Sequence, residues 1–173
     1  MSDQPAGNGP ANAPGQGQAQ GTAQGPLVLN LQYTKDLSFE VPGAPEIFTS
    51  LREQPRVDLQ LDVQARALQE GGNVFEVALQ IRADAQTSLN GQTQSCFIAE
   101  LAYCGIFTVN VPQEHLEPVL LVECPRLLFP FARNILADVT RDGGFPPVLL
   151  APIDFVALWQ SRRGGGAGVV GHA

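Results

Sequence analysis

The sequence predicts an α+β fold: a four-stranded antiparallel sheet followed by C-terminal helices packed on one of its faces. Three observations carry this expectation. Apolar residues alternate with polar ones through successive stretches between Leu27 and Val111. Turn signals, Gly71-Gly72-Asn73 and Asn90-Gly91, separate the last three of these stretches. Beyond Val111 the chain reads as helix, with a long apolar loop before the last one.

The first strand covers Leu27 to Val41. Leu27, Leu29, Leu31, Tyr33, Leu37, Phe39 and Val41 fall on one face, and Asn30, Gln32, Thr34, Asp36, Ser38 and Glu40 on the other. Lys35 interrupts the apolar side, as a bulge or a snorkelling side chain would. Pro42-Gly43-Ala44-Pro45 ends the strand, and residues 46–51 read as a helical turn within a long connection closed by Pro55. The second strand alternates over 57–68 and the third over 75–84. The fourth, 92–111, differs. Phe97, Ala99, Leu101, Tyr103 and Phe107 line one face and Cys96, Ile98, Ala102, Cys104 and Ile106 the other, with Glu100 the only charge between Cys96 and Val109. A strand apolar on both faces is buried on both. Because the helices suffice for one face, a second copy is expected on the other. A short helix is expected over 115–122. Pro125 suits a first helical position before a helix over 127–141, which Pro130 kinks or delimits and Asp142-Gly143-Gly144 stops. Residues 145–153 are apolar but carry three prolines, so they form a loop. Asp154 is placed to cap a final helix, Phe155 to Arg163, whose last arginines complement its dipole.

At 173 residues, 44% hydrophobic and 16% charged, the chain has the length of one domain with a real core. Residues 1–26 are low in complexity: 20 of the 26 are Gly, Pro, Gln or Ala. Such a segment buries too little to offset its ordering entropy and is expected to be disordered. Residues 164–173 are Gly-rich and expected to be loose. The folded domain is thus 27–163, which holds all ten basic residues and 16 of the 17 acids. The net charge of −7 argues against nucleic acid or an anionic membrane as partner. Three cysteines do not make a disulfide framework and suggest a reducing compartment. Neither a signal peptide nor a membrane span is expected.

Enzyme signals are weak. Cys104, His115 and Cys124 do not match zinc spacing and lack a fourth ligand. A Cys–His nucleophile pair has no nameable orienting acid, and buried apolar thiols with a surface histidine account for the same residues. No nucleotide-binding motif is present, so neither cofactor nor metal is expected. Two features go further. Asp36 and Glu40 lie roughly 13 Å apart on one strand face. If strands one and four are neighbours, they form with Glu100 and Ile98 a flat acidic patch suited to a basic partner. The loop 145–153, with Trp159 and with Phe48 and Leu51 of the first connection, is either core cover or the wall of an exposed apolar groove.

Tyr33-Thr34-Lys35-Asp36-Leu37-Ser38-Phe39-Glu40, Gly105-Ile106-Phe107, residues 124–133 (CPRLLFPFAR) and residues 144–155 (GFPPVLLAPIDF) resemble the SecB family of protein-export chaperones. The likeness runs in order over about 30–160. It implies a cytosolic homotetramer, a dimer of dimers, that holds secretory precursors unfolded without ATP and delivers them to the SecA motor ATPase. It further implies motor docking at Asp36, Glu40, Ile98 and Glu100, and subunit pairing at Ala99, Leu101 and Tyr103. Client grooves would be lined by Phe48, Leu51, Phe145, Val148, Leu149, Leu150 and Trp159. No catalysis, cofactor, metal, nucleic acid or membrane insertion is implied. The tail 1–26 stands outside the family pattern. The Gly-rich C-terminus departs from the tail that in the family touches the motor. A Cys-dependent enzyme, an adaptor for folded partners and a SecB-like chaperone serving a toxin–antitoxin pair are the rival readings.

Overall fold

A computed structural model describes residues 25–89 and 91–164, and the backbone of Val169–His172. The expected tail 1–26 lies, but for its last two residues, outside them. Strands β1 (Leu27–Glu40), β2 (Arg56–Ala67), β3 (Val74–Leu89) and β4 (Gln92–Val109) form an antiparallel sheet in the order β1-β4-β3-β2. The turn signal at 71–73 joins β2 to β3 as expected. Strands β3 and β4 are likewise antiparallel neighbours, with Asn90 of the second signal outside the described residues. The long connection after β1 carries that strand to the far side of β4. A short helix α1 (Glu46–Ser50) occupies the connection.

Alternation sorts the strands by face. Val57, Leu59, Leu61 and Val63 of β2, Val77, Leu79 and Ile81 of β3, and Phe97, Ala99, Leu101 and Phe107 of β4 all point to one side, where the helices cover them. The other side carries Asp58, Asp62, Glu76, Gln80, Arg82, Asp84 and Glu100. In the single chain Ile98, Ala102 and Ile106 on that side are half-buried, not sealed. Ala99, Leu101 and Tyr103 lie on the covered side, 0%, 2% and 6% exposed, and the Tyr103 ring stacks on Phe131 at 6.3 Å. The chain's own helical layer therefore occupies the residues expected to pair subunits. What remains open on this side includes Leu37, the register partner of Leu101, with Leu127 and Phe131 of the helical layer.

Strand β1 departs from the single-phase pattern. Its pairing with β4 slips between Leu29 and Leu31 and again between Thr34 and Asp36. Each slip inverts the faces. Leu31 and Tyr33 therefore turn to the open side, and Leu31 is 55% exposed instead of sharing the core with Leu29. Of the two readings of Lys35, the bulge is present and restores the phase, so Phe39 points inward while Asp36 and Glu40 point out.

The helical part is more continuous than expected. Helix α2 (Gln113–Pro118) passes through a π-helical turn, Val119–Glu123, into α3 (Cys124–Asp142). Pro125 stands in the first turn of α3. Pro130 does not break the helix: it and Arg126, whose carbonyl it leaves unmatched, are both on the exposed side. Thr140, fully buried, donates to the Leu136 carbonyl (2.9 Å) and accepts from the Val148 amide (3.0 Å), tying the proline-rich loop to α3. Asp154 caps α4 (Phe155–Arg163) by accepting from the amides of Val156 and Ala157, each at 3.0 Å. Beyond α4, Val169–His172 forms β5 and pairs with β2, so the segment expected to be loose adds a fifth strand. The unpaired backbone of a sheet edge next to two β-branched valines explains this.

At Gly105 the sheet and α3 come closest. A methyl group there would stand 2.6 Å from Phe107 Cε2 and 2.9 Å from Leu128 Cδ2. Gly105→Ala is expected to destabilise the fold by about 1–3 kcal/mol, read as a lower urea midpoint with an unchanged slope.

Candidate functional site

The open sheet face and the far end of the covered face offer two surfaces of opposite character. On the open face, β1 and β4 are neighbours, and the register sets Glu40 opposite Ile98, Ser38 opposite Glu100 and Asp36 opposite Ala102. All four residues of the expected acidic patch therefore share one surface. Asp36, Glu40 and Glu100 are exposed and Ile98 is half-buried between them. Among the described residues Asp36 and Glu40 are in no ion pair, whereas Glu100 is held by Arg82 from β3.

Farther along the same face is a cluster that sequence reading missed. Glu76 is 4% exposed on what is otherwise a solvated surface. Tyr33 donates to it, Arg66 Nε lies 2.5 Å from it and Lys35 Nζ 3.1 Å. Three strands, β1, β2 and β3, are thereby joined through one carboxylate, across β4, where Cys104 is the register partner of Tyr33. The hydrogen bond from Arg66, then that from Tyr33, holds the Glu76 carboxyl down at about 2 against the drive of burial. The same bond to Glu76, and then burial, pushes the Tyr33 phenol up to about 12. The signal available in the sequence was Lys35: the bulge there lets its side chain reach Glu76.

The second surface lies where β1, β4 and the loop after α3 converge. Phe39 stacks on Phe97 at 5.4 Å, Phe97 meets Phe145 at 4.9 Å, and Phe145 meets Phe48 at 5.1 Å. Glycine permits the approach: a methyl group on Gly143 would stand 2.1 Å from the Phe39 ring. Of the expected groove residues, Phe48 (45% exposed) and Leu149 (67%) remain open, Leu51 is half-buried, and Phe145, Val148 and Leu150 are inside the core. Trp159 is elsewhere. Its indole Nε1 donates to Glu117 of α2 at 3.0 Å and Arg163 lies over its ring. Phe39 and Phe97, read only as core residues of their strands, form the floor of this surface.

The thiols are unsuited to nucleophilic work. Cys96, Cys104 and Cys124 are buried and unpaired. Burial pushes Cys124 up to about 12 and raises Cys104, the latter helped by Glu76. His115 is exposed on α2. No three His, Cys, Asp or Glu side chains among the described residues are placed to hold a metal.

A sheet with one helix-covered face, an acidic open face and an aromatic cluster with exposed apolar margins has the build of a binding protein for apolar polypeptide segments, not of an enzyme with convergent polar groups. Residues 20–164 match the model of the SecB family, preprotein translocase subunit SecB. The chain is similar to protein-export protein SecB of Granulibacter bethesdensis, with 67% identity over 141 residues covering 80% of this chain and 82% of the relative. It is also similar to that of Rhodospirillum centenum, with 46% identity over the full length of both. Among solved structures, it shares its fold with a SecB-like chaperone of Mycobacterium tuberculosis in complex with an antitoxin peptide. That likeness has a TM-score of 0.59 at 18% identity, covering 74% of this chain and 91% of the other. The chain belongs to the SecB family.

The Glu76 carboxyl has a lower pKa in the folded chain than its ordinary value of 4.5. Its contribution to stability is therefore complete above about 4.5 and drains away as pH falls toward about 2. Urea midpoints measured against pH are expected to fall across that window. Glu76→Gln is expected to lower the midpoint at neutral pH and to flatten the fall.

Proposed function

We propose that this chain is an ATP-independent holdase of the cytoplasm that keeps secretory precursors unfolded and hands them to the SecA motor ATPase, working as a homotetramer without catalysis. The observation that carries the reading is the segregation of the two surfaces. Asp36, Glu40, Ile98 and Glu100 share the open face, while Phe48 borders the aromatic cluster and Leu149 stands exposed on the same loop as Phe145.

Each surface suits a different kind of partner. The acidic face has charge to draw in and orient a basic docking segment, and Ile98 gives it an apolar centre. At the apolar margin, covering Phe48 and Leu149 contributes roughly 1.5–3 kcal/mol per fully buried side chain. After the cost of immobilising a flexible chain, one such site binds weakly. Several copies acting on one unfolded polypeptide convert weak contacts into useful avidity. A client that folds buries its apolar segments and leaves, so discrimination needs neither a polar readout nor nucleotide. The exposed Leu127 and Phe131 on α3, beside the covered Tyr103, support association of copies through the helical layer. No helix among the described residues is long and apolar enough to cross a membrane.

Two pairs of substitutions separate the surfaces. Asp36→Ala with Glu100→Ala is expected to weaken binding to purified SecA by about fivefold or more while leaving capture of a denatured precursor within about twofold. Phe48→Ser with Leu149→Ser is expected to do the reverse, at small cost to stability because both side chains are already exposed. Equal loss of both activities in either pair refutes the division. Arrest of a slowly refolding precursor without ATP checks the holdase itself.

A further inference from the structure

The central carboxylate of the acidic patch is already engaged. Arg82 of β3 lies directly across from Glu100 of β4 in the sheet register, and its Nη1 grips the Glu100 carboxylate. Its other arm, Nη2, stands 3.6 Å from Asp84 Oδ2. Asp84 uses its second oxygen to accept from Gln86 Nε2 at 3.3 Å, so Oδ2 stays open to Arg82. The other cations reaching this face are paired with groups outside the patch. Lys35 and Arg66 bind Glu76, Arg56 binds Asp58, and Arg162 binds Asp62 and the Val63 carbonyl. Together Asp36, Glu100, Arg82, Gln80, Asp62 and Arg162 line an open groove of about 690 Å³ across the sheet.

The pair is solvated, with Arg82 39% and Glu100 47% exposed, so it is weak and can be exchanged. A basic segment arriving from solution finds Asp36 and Glu40 free but must take Glu100 from Arg82. The displaced guanidinium need not stay unpaired, since Asp84 is within reach of its second arm.

We propose that Arg82 is an affinity-setting residue of the docking face: it holds Glu100 in an internal pair that a cationic segment of the motor displaces, with Asp84 receiving the released arm. The proposal rests on the docking reading given above. Its consequence is that Glu100 contributes less to tightness than an unpaired carboxylate would, while still contributing. A cation that pairs with it replaces an existing partner, whereas a neutral or acidic segment gains nothing there and leaves the internal pair closed.

The test is a double-substitution cycle read by titrating purified SecA onto the full-length, client-free chaperone at low salt. Arg82→Gln is expected to tighten binding about two- to fivefold, with the gain shrinking as salt is raised. In a Glu100→Gln background the same change is expected to give no gain. Unchanged or weaker binding by Arg82→Gln overturns the proposal. So does an equal gain in both backgrounds, which would assign the effect to net charge alone. Glu100→Gln by itself separates the two levels. If it leaves docking unaltered, the docking reading fails and the proposal with it. If it weakens docking while Arg82→Gln changes nothing, only the proposal fails. Should Arg82→Gln not fold, Arg82→Thr, well suited to a strand, carries the same expectations.

Discussion

Two bulges in β1 decide which surface each of its side chains joins. Without them, strict alternation would send Leu31 and Tyr33 to the same side as Leu29. With the first alone, it would put Phe39 outside and Asp36 and Glu40 beneath the helices. The slip at Lys35 brings Phe39 back onto Phe97, where it forms the floor of the aromatic cluster. It also turns Asp36 and Glu40 outward beside Glu100. The Lys35 ammonium and the Tyr33 hydroxyl both end on Glu76, so the irregular strand is tied to β3 by charge and hydrogen bonds. One local deviation thus completes both surfaces at once.

The helices sharpen this separation. The continuous run from α2 through α3 covers only one side of the sheet, and the loop tied down by Thr140 extends that cover toward Phe145. Aromatic rings therefore accumulate on the helix side, while carboxylates dominate the other. The same sheet stands between them. A protein that must hold an unfolded chain and still dock on a carrier needs this geometry, because either partner on the other's surface would exclude it.

Much of this was legible beforehand because period-two patterning reports directly on strand faces. The four main strands and the meeting of Asp36, Glu40, Ile98 and Glu100 follow from alternation plus antiparallel pairing. The turns follow from their glycines, and the Asp154 cap from its residue type ahead of the last helix. What stayed hidden depends on contacts between residues far apart in the chain. Glu76 reads as an ordinary polar position until Tyr33, Lys35 and Arg66 converge on it from two other strands. Trp159 reads as a groove wall until Glu117 is seen to hold it. Ala99, Leu101 and Tyr103 share an apolar face, but whether a second copy or the chain's own α3 covers such a face is a tertiary matter. Phe145, Val148 and Leu150 show the same limit, since an apolar loop looks alike whether it lines a groove or closes a core. The π-helical turn joining α2 to α3 was likewise invisible, because it merges two helices that proline positions suggest are separate.

The central claim is that one sheet carries a client on its aromatic side and a motor on its acidic side at the same time. Sedimentation of the full-length protein with a denatured, slowly folding precursor and purified SecA tests it directly. The account predicts a ternary complex containing all three, with SecA bound about as tightly in the presence of client as without it. Mutual displacement, with client and SecA never sedimenting together on the chaperone, would contradict it.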